Sequence, residues 1–247
     1  MRSSTHTALR LAATITLLAF AGAACGEKAP SRARKVAVGP APDSFQVSIE
    51  STRGTFEVEV IRAWSPRGAD RFRDLVAEAF FDESAFFRVL PGFVAQFGVN
   101  DDRKRNEQWD AKPIHDDSVK HSNTRGTLVF ALDGPNSRSH QLFINLVDNA
   151  RLDRQGFAPI GRVIRNMAIV DSIYSGYGER PNYHLLATLG TSYLRRMFPK
   201  VDYIKSAQLV GATSTSPGKN KGPAVATTGR PLGAEQQSVR ASSTSGH

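Results

Sequence analysis

The chain has 247 residues, 22% of them charged and 40% hydrophobic, with one cysteine and a formal net charge of +9. That length holds one ordinary domain with appendages and excludes a chain too small to build its own core. The excess positive charge lies outside residues 43–210, which carry 22 basic and 21 acidic residues, so the globular part lacks the basic face a nucleic-acid binder needs.

Taken in order, residues 1–24 read as an export signal. Arg2 and Arg10 supply the positive start, and Leu11 to Ala24 is an apolar run ending in small residues. The run is shorter than the roughly 20 residues a bilayer span needs. Cys25 follows directly, and this arrangement resembles a bacterial lipoprotein signal in which the cysteine is acylated and becomes the mature N-terminus. Gly22 departs from the leucine usual there, and the alternative is a soluble secreted or periplasmic protein cleaved near Ala23 or Ala24. A single cysteine excludes an internal disulfide. Residues 25–42 are charged and contain Pro, Ala and Gly without apolar periodicity, the composition of a flexible tether.

The domain expected over 43–210 opens with strands at Phe45–Glu50 and Thr55–Ile61, the second alternating Phe56, Val58 and Val60 with Glu57 and Glu59. Ser65-Pro66 reads as an N-cap and a proline at the first helical position. Ala69, Phe72, Leu75, Val76 and Ala79 follow at helical spacing. Two strand-like runs then meet at Pro91-Gly92, and Val94 and Gln96 share a face. Residues 99–125 are polar and read as a long surface loop. The pairs Asp101-Asp102 and Asp116-Asp117 and the row Arg103-Lys104-Arg105 are read as solvated parts of it. Gly126 to Ile144 gives two apolar strands around a Gly-Pro-Asn loop. Further elements are a strand within Gly156–Val163, a helix around Met167–Tyr174, a helical segment over Asn182–Pro199 and a closing strand over Val201–Val210. Residues 211–247, rich in Ser, Thr, Gly and Pro, read as a disordered tail.

Three blocks in this order resemble the cyclophilin-type peptidyl-prolyl isomerases. Phe86, Arg88, Pro91, Gly92, Phe93, Gln96 and Gly98 match F-x-R-x-x-P-G-F-x-x-Q-x-G. Gly134, Pro135, Asn136, Gln141 and Phe143 match G-P-N-x-x-x-x-Q-x-F, and Leu152-Asp153 with Gly161-Arg162-Val163 resembles a third block. The resemblance implies a mainly β fold, a closed antiparallel barrel capped by helices, and isomerisation of X-Pro bonds without cofactor or metal. It implies Arg88 as the catalytic donor. Phe93, Val94, Phe143, Leu152 and Phe157 would form the proline pocket. Gln96, Ala131, Leu132, Asp133 and Gln141 would hold the substrate backbone. The implied partners are proline-containing segments of client proteins, met by a monomer held to a membrane through Cys25, with no nucleic acid. The competing class is a non-catalytic module that grips such segments as chaperone or scaffold.

Several positions depart from the family pattern. Arg151 stands where an aromatic residue, often Trp, helps bind cyclosporin-type cyclic peptides, which implies weak drug binding. Phe157 replaces the histidine that closes the proline pocket, Val94 replaces a methionine, and Leu132-Asp133 replaces Asn-Ala. Residues 176–200 are an insertion beyond the minimal pattern, resembling a branch of exported or plastid-type members. The six histidines lack metal-ligand spacing and are read as mostly solvated. Ser137, Ser139 and His140 lack the G-x-S-x-G elbow of a hydrolase.

Overall fold

A computed structural model describes residues 39–211. The expected leader, Cys25, nearly all of the tether and the tail beyond Gly211 lie outside the described residues. Where the tether ends, Ala41 is already buried, and its N–H donates to Asp70 at 2.7 Å. The packed domain therefore begins slightly before residue 43.

Eight strands form one antiparallel sheet: β1 (Ser44–Ser51), β2 (Gly54–Ile61), β3 (Arg88–Val89), β4 (Val94–Phe97), β5 (Thr127–Phe130), β6 (Leu142–Asn145), β7 (Pro159–Arg165) and β8 (Ile204–Leu209). Their order is β3-β4-β6-β5-β7-β2-β1-β8. The sheet curls until its two ends meet: Ala85 bridges Tyr203, and Ser84 and Phe86 exchange backbone hydrogen bonds with Ile204 and Asp202. Closure removes free edges. The expected mainly β barrel is present.

Alternation in β1 and β2 sends Val47, Ile49, Phe56, Val58 and Val60 inward, each at most 1% exposed. Helix α1 (Pro66–Ala77) covers one end of the barrel with Ala69, Phe72, Leu75 and Val76 on its buried stripe. Burying a side chain such as Phe72 or Leu75 stabilises by about 1.5–3 kcal/mol.

Six expectations need correction. The stretch 99–125 is not a plain loop, because it contains helix α2 (Arg103–Asp110), whose N-cap Asp102 accepts from the Lys104 N–H at 2.9 Å. It has no apolar stripe and buries only Asn106 and Trp109, which hid it from periodicity. Asp117 is not solvated: its side chain is 3% exposed and faces the equally buried Arg138. His140 is fully buried, with Nδ1 2.6 Å from the Gly98 carbonyl and Nε2 2.9 Å from Asp110. Ser65 occupies the N-cap of α1 without capping it, because its hydroxyl donates to Asp117 instead. The expected Asn182–Pro199 helix is two short ones, α4 (Tyr183–Leu189) and α5 (Thr191–Met197), broken at Gly190 with φ +68°. Before them, α3 (Met167–Asp171) is shorter than the expected span.

Asp117 ties three segments together. It accepts from the Ser65 hydroxyl at 2.6 Å and the Gly68 N–H at 3.0 Å, and pairs with Arg138 at 3.2 Å. Burial pushes its carboxyl up, but these hydrogen bonds and the Arg138 charge outweigh burial and hold it below the usual carboxylate range. A depressed folded value contributes stability above the unfolded pKa, about 3.9, and that contribution is lost as pH falls through the folded value. Asp117→Asn removes one of the two carboxylates facing the buried Arg138, Asp116 remaining at 3.3 Å, and should cost about 1.5–3 kcal/mol at pH 7. Urea unfolding at pH 7 and pH 3 checks this: the variant should lose stability at pH 7 and show a weaker decline on acidification. Equal stability of both proteins at pH 7 refutes it.

Candidate active site

The site lies on the outer face of β3, β4 and β6. Leu90 and Phe93 close the β3–β4 hairpin through a 2.9 Å hydrogen bond, with Gly92 at φ +75° between them. The register places Arg88 opposite Gln96 and Gln96 opposite Phe143. Side chains two apart share a face, so Val94 and Gln96 project beside Gln141 and Phe143, away from the barrel interior that takes Ala95, Phe97 and Leu142.

Beneath this face is a separate small apolar cluster of Val94, Val129, Phe143 and Leu152, with Phe93, Ala131 and Phe157 packed against it. Phe143 and Phe157 meet edge-on at 5.7 Å. Leu152 arrives on a 3-10 turn, Ala150–Gln155, closed by Gly156 at φ +85°. Asp153 secures that turn by accepting from Ser122 at 2.6 Å and from the Asn123 side chain at 2.7 Å.

These residues enclose a pocket of about 270 Å³. Nine of the eleven residues expected at the site line it: Arg88, Phe93, Val94, Gln96, Ala131, Leu132, Phe143, Leu152 and Phe157. The other two, Asp133 and Gln141, line an adjoining groove of about 520 Å³ that shares Arg88, Gln96, Ala131 and Leu132 with the pocket. Sequence reasoning missed the far wall of this groove, formed by Phe87, Asp110, Ser139, Pro181 and Tyr183. Only Pro181 and Tyr183 belong to the insertion, which is the one sequence signal for this wall; Phe87, Asp110 and Ser139 carry none.

A row of polar groups divides the two cavities. Arg88 Nη1 donates to Gln96 Oε1 at 3.3 Å, and Gln96 Nε2 donates to Gln141 Oε1 at 3.2 Å. Arg88 Nε and Nη2 both donate to Glu179 Oε1, at 2.8 and 2.5 Å. Tyr183 lines the groove with Gln141, and burial pushes its phenol up, above its ordinary value. In the groove wall, burial pushes Asp110 up, but His140 and Ser139 more than offset it and hold the carboxyl below its ordinary value.

Two cations flank the Phe93 ring, Arg88 at 5.6 Å and Arg151 at 4.7 Å from its centroid. Arg151 thus covers the ring with a charged plane rather than a flat aromatic. Among the described residues no group of three or more His, Cys, Asp or Glu is placed to hold a metal ion. What the face offers is a fixed guanidinium and two amides bordering an apolar pocket, able to hydrogen-bond a peptide carbonyl or amide nitrogen next to a buried ring.

Comparison with known proteins agrees with this geometry. The family model "Cyclophilin type peptidyl-prolyl cis-trans isomerase/CLD" matches residues 45–186. The chain belongs to the cyclophilin-type peptidyl-prolyl isomerases. It is 34% identical to a peptidyl-prolyl cis-trans isomerase of Acinetobacter baylyi over 146 residues, which are 55% of this chain and 77% of that protein. To peptidyl-prolyl cis-trans isomerase B of Escherichia coli it is 29% identical over 147 residues, 56% of this chain and 89% of the relative. The crystal structure of a Cryptosporidium parvum cyclophilin-type isomerase shares the fold with a TM-score of 0.50 and 18% identity, covering 67% of this chain and 97% of that one.

The position of Arg151 in this isomerase sets its expected drug response. A cyclosporin-type ligand has to displace or desolvate the guanidinium lying on Phe93. Arg151→Trp should raise affinity at least tenfold, about 1.4 kcal/mol, measured by calorimetry. Tight binding by the unaltered protein overturns the placement of this loop.

Proposed function

We propose that this isomerase turns X-Pro bonds in exported proteins during their folding, with Arg88 as the donor to the twisted amide. Rotation about the bond loses amide resonance against a barrier of about 18–20 kcal/mol. It breaks no covalent bond, so a nucleophile has no task here. In the twisted state the proline nitrogen becomes pyramidal and accepts a hydrogen bond, which a permanently charged guanidinium supplies. Phe93, Val94, Phe143, Leu152 and Phe157 would seat the proline ring and exclude water, strengthening that bond. Gln96 and Gln141, with the backbone of Ala131 to Asp133, would hold the flanking peptide. An acceleration of about 10⁴ needs about 5.5 kcal/mol of differential stabilisation, within reach of one charged hydrogen bond plus orientation.

The observation that carries this reading is the Arg88–Gln96–Gln141 row standing beside an apolar pocket of about 270 Å³. A module that only grips proline segments has no use for a guanidinium aligned in this way. In a protease-coupled assay on an Ala-Pro peptide, Arg88→Ala should lower kcat/KM by at least two orders of magnitude, about 2.7 kcal/mol. Its circular dichroism should match the parent, because Arg88 lies outside the core. Near-parental turnover by the folded variant refutes the assignment and favours the binding module.

The address is part of the proposal. Residues 1–24 would direct export and Cys25 would carry the lipid, leaving residues 26–42 as a leash with a root-mean-square reach of about 20–25 Å for a monomeric domain. Two acyl chains hold stably where one is reversible, and basic residues on the leash add about 1 kcal/mol each near an anionic surface. Cys25→Ser should move the isomerase from the membrane fraction to the soluble exported fraction with its activity intact. A parent protein that fractionates as soluble, without lipid on Cys25, leaves simple secretion in its place.

A further inference from the structure

The insertion meets the Arg88–Gln96–Gln141 row at both ends. Glu179 takes two N–H groups of Arg88, at 2.8 and 2.5 Å, and Tyr183 lines the groove together with Gln141 at the other end. Between them, Pro181 forms part of the groove wall. Arg88 has five N–H donors. Glu179 and Gln96 hold three of them, and the remaining two have no partner among the described residues.

The strap that delivers Glu179 is braced. Gly178 bridges Val89 in β3, and its N–H closes a turn on the Ser175 carbonyl at 3.0 Å. The Arg180 guanidinium donates to the Gly176 carbonyl at 2.7 Å and lies 5.1 Å from the centre of the Tyr177 ring. Tyr177 packs on Phe198, and Tyr183 on Phe87, within a satellite apolar cluster that also contains Leu186 and Leu194. The carboxylate thus arrives on a fixed backbone rather than a free loop. No partner other than Arg88 holds Glu179 among the described residues.

We propose that the strap Gly178–Tyr183 is a positioning element of the isomerase, in which Glu179 and Tyr183 set the Arg88–Gln96–Gln141 row so that two guanidinium N–H groups stay free for the substrate. This rests on the reading of Arg88 as amide-nitrogen donor. The physical gain is preorganisation: an arginine on this open face otherwise loses rotamer freedom when it meets the twisted amide. Glu179 constrains the guanidinium before substrate arrives. Because the pair is partly exposed, salt screens it, so the effect carries an ionic-strength signature.

The test uses the folded protein, an uncharged Ala-Pro peptide and steady-state kinetics at low and high salt. Glu179→Ala should lower kcat/KM about threefold to tenfold, chiefly in kcat, with an unchanged melting temperature. Glu179→Gln, whose amide oxygen still accepts from the guanidinium, should recover most of that loss. Parental kcat/KM should fall at high salt, and that of Glu179→Ala should not. Tyr183→Phe should lower kcat about twofold to threefold. In an Arg88→Lys background, Glu179→Ala should add no further loss. Glu179→Ala with parental or raised kcat overturns the proposal, a rise meaning that Glu179 blocks Arg88. Equal salt dependence in parent and variant also overturns it. Parental activity in Arg88→Lys would instead sink the underlying reading of Arg88, an outcome separable from the effect of Glu179.

Discussion

The cross-strand register of β3, β4 and β6 is the constraint on which the site depends. Side chains alternate strictly along a strand, so a slip of one residue in β4 would turn Val94 and Gln96 toward the core and Phe97 outward. The hairpin at Pro91-Gly92 pins one end of that register. The other end is pinned at Gly98, where φ is +106° and an added Cβ would sit 2.4 Å from the His140 carbonyl. His140 answers from the opposite side, its Nδ1 2.6 Å from the Gly98 carbonyl. The buried histidine and the glycine thus hold β4 against the start of β6, one residue before Gln141.

The fold separates two apolar tasks. The barrel interior is filled by buried apolar side chains, Phe, Val, Leu and Ile foremost. The pocket cluster of Val94, Val129, Phe143 and Leu152 forms on the outer face, where polar groups remain reachable. Arg88 can therefore be 29% exposed while bordering an apolar wall. A fully buried arginine needs dedicated counter-charge, as Arg138 has in Asp117 and Asp116. On the rim Arg88 keeps its charge with partial solvation, and its hydrogen bonds would gain strength where the proposed proline ring displaced water.

Much of this was legible in the sequence because it is local. Strict alternation marked β2, the Pro-Gly turn marked the β3–β4 hairpin, and three ordered motifs named the residues that line the pocket. What escaped detection either lacks an apolar pattern or depends on a distant partner. Helix α2 has no apolar stripe; it is held by the Asp102 cap and by the reciprocal hydrogen bonds of Asn100 and Asn106, at 2.8 Å each. Asp117 reads as a solvated turn until its partner Arg138, 21 residues away, is in place. Glu179 lies 91 residues from Arg88, and no spacing rule joins them. Each of these polar residues became structural through a partner that only the fold supplies.

The satellite cluster explains how an insertion can act on a site at the barrel surface. Ala85, Phe87 and Val99 come from the segments around β3 and β4, whereas Leu186, Leu194 and Val201 come from the insertion and the chain just after it. Burying them together fixes the insertion to the same strands that carry Arg88 and Gln96. The apolar contacts meet the entropic cost of ordering the strap, which one partly exposed ion pair worth about 0.2–1 kcal/mol could not do alone. Glu179 then needs to contribute only direction. In this order of causes the hydrophobic packing places the carboxylate, and the carboxylate restricts the guanidinium that we propose as donor to the twisted amide.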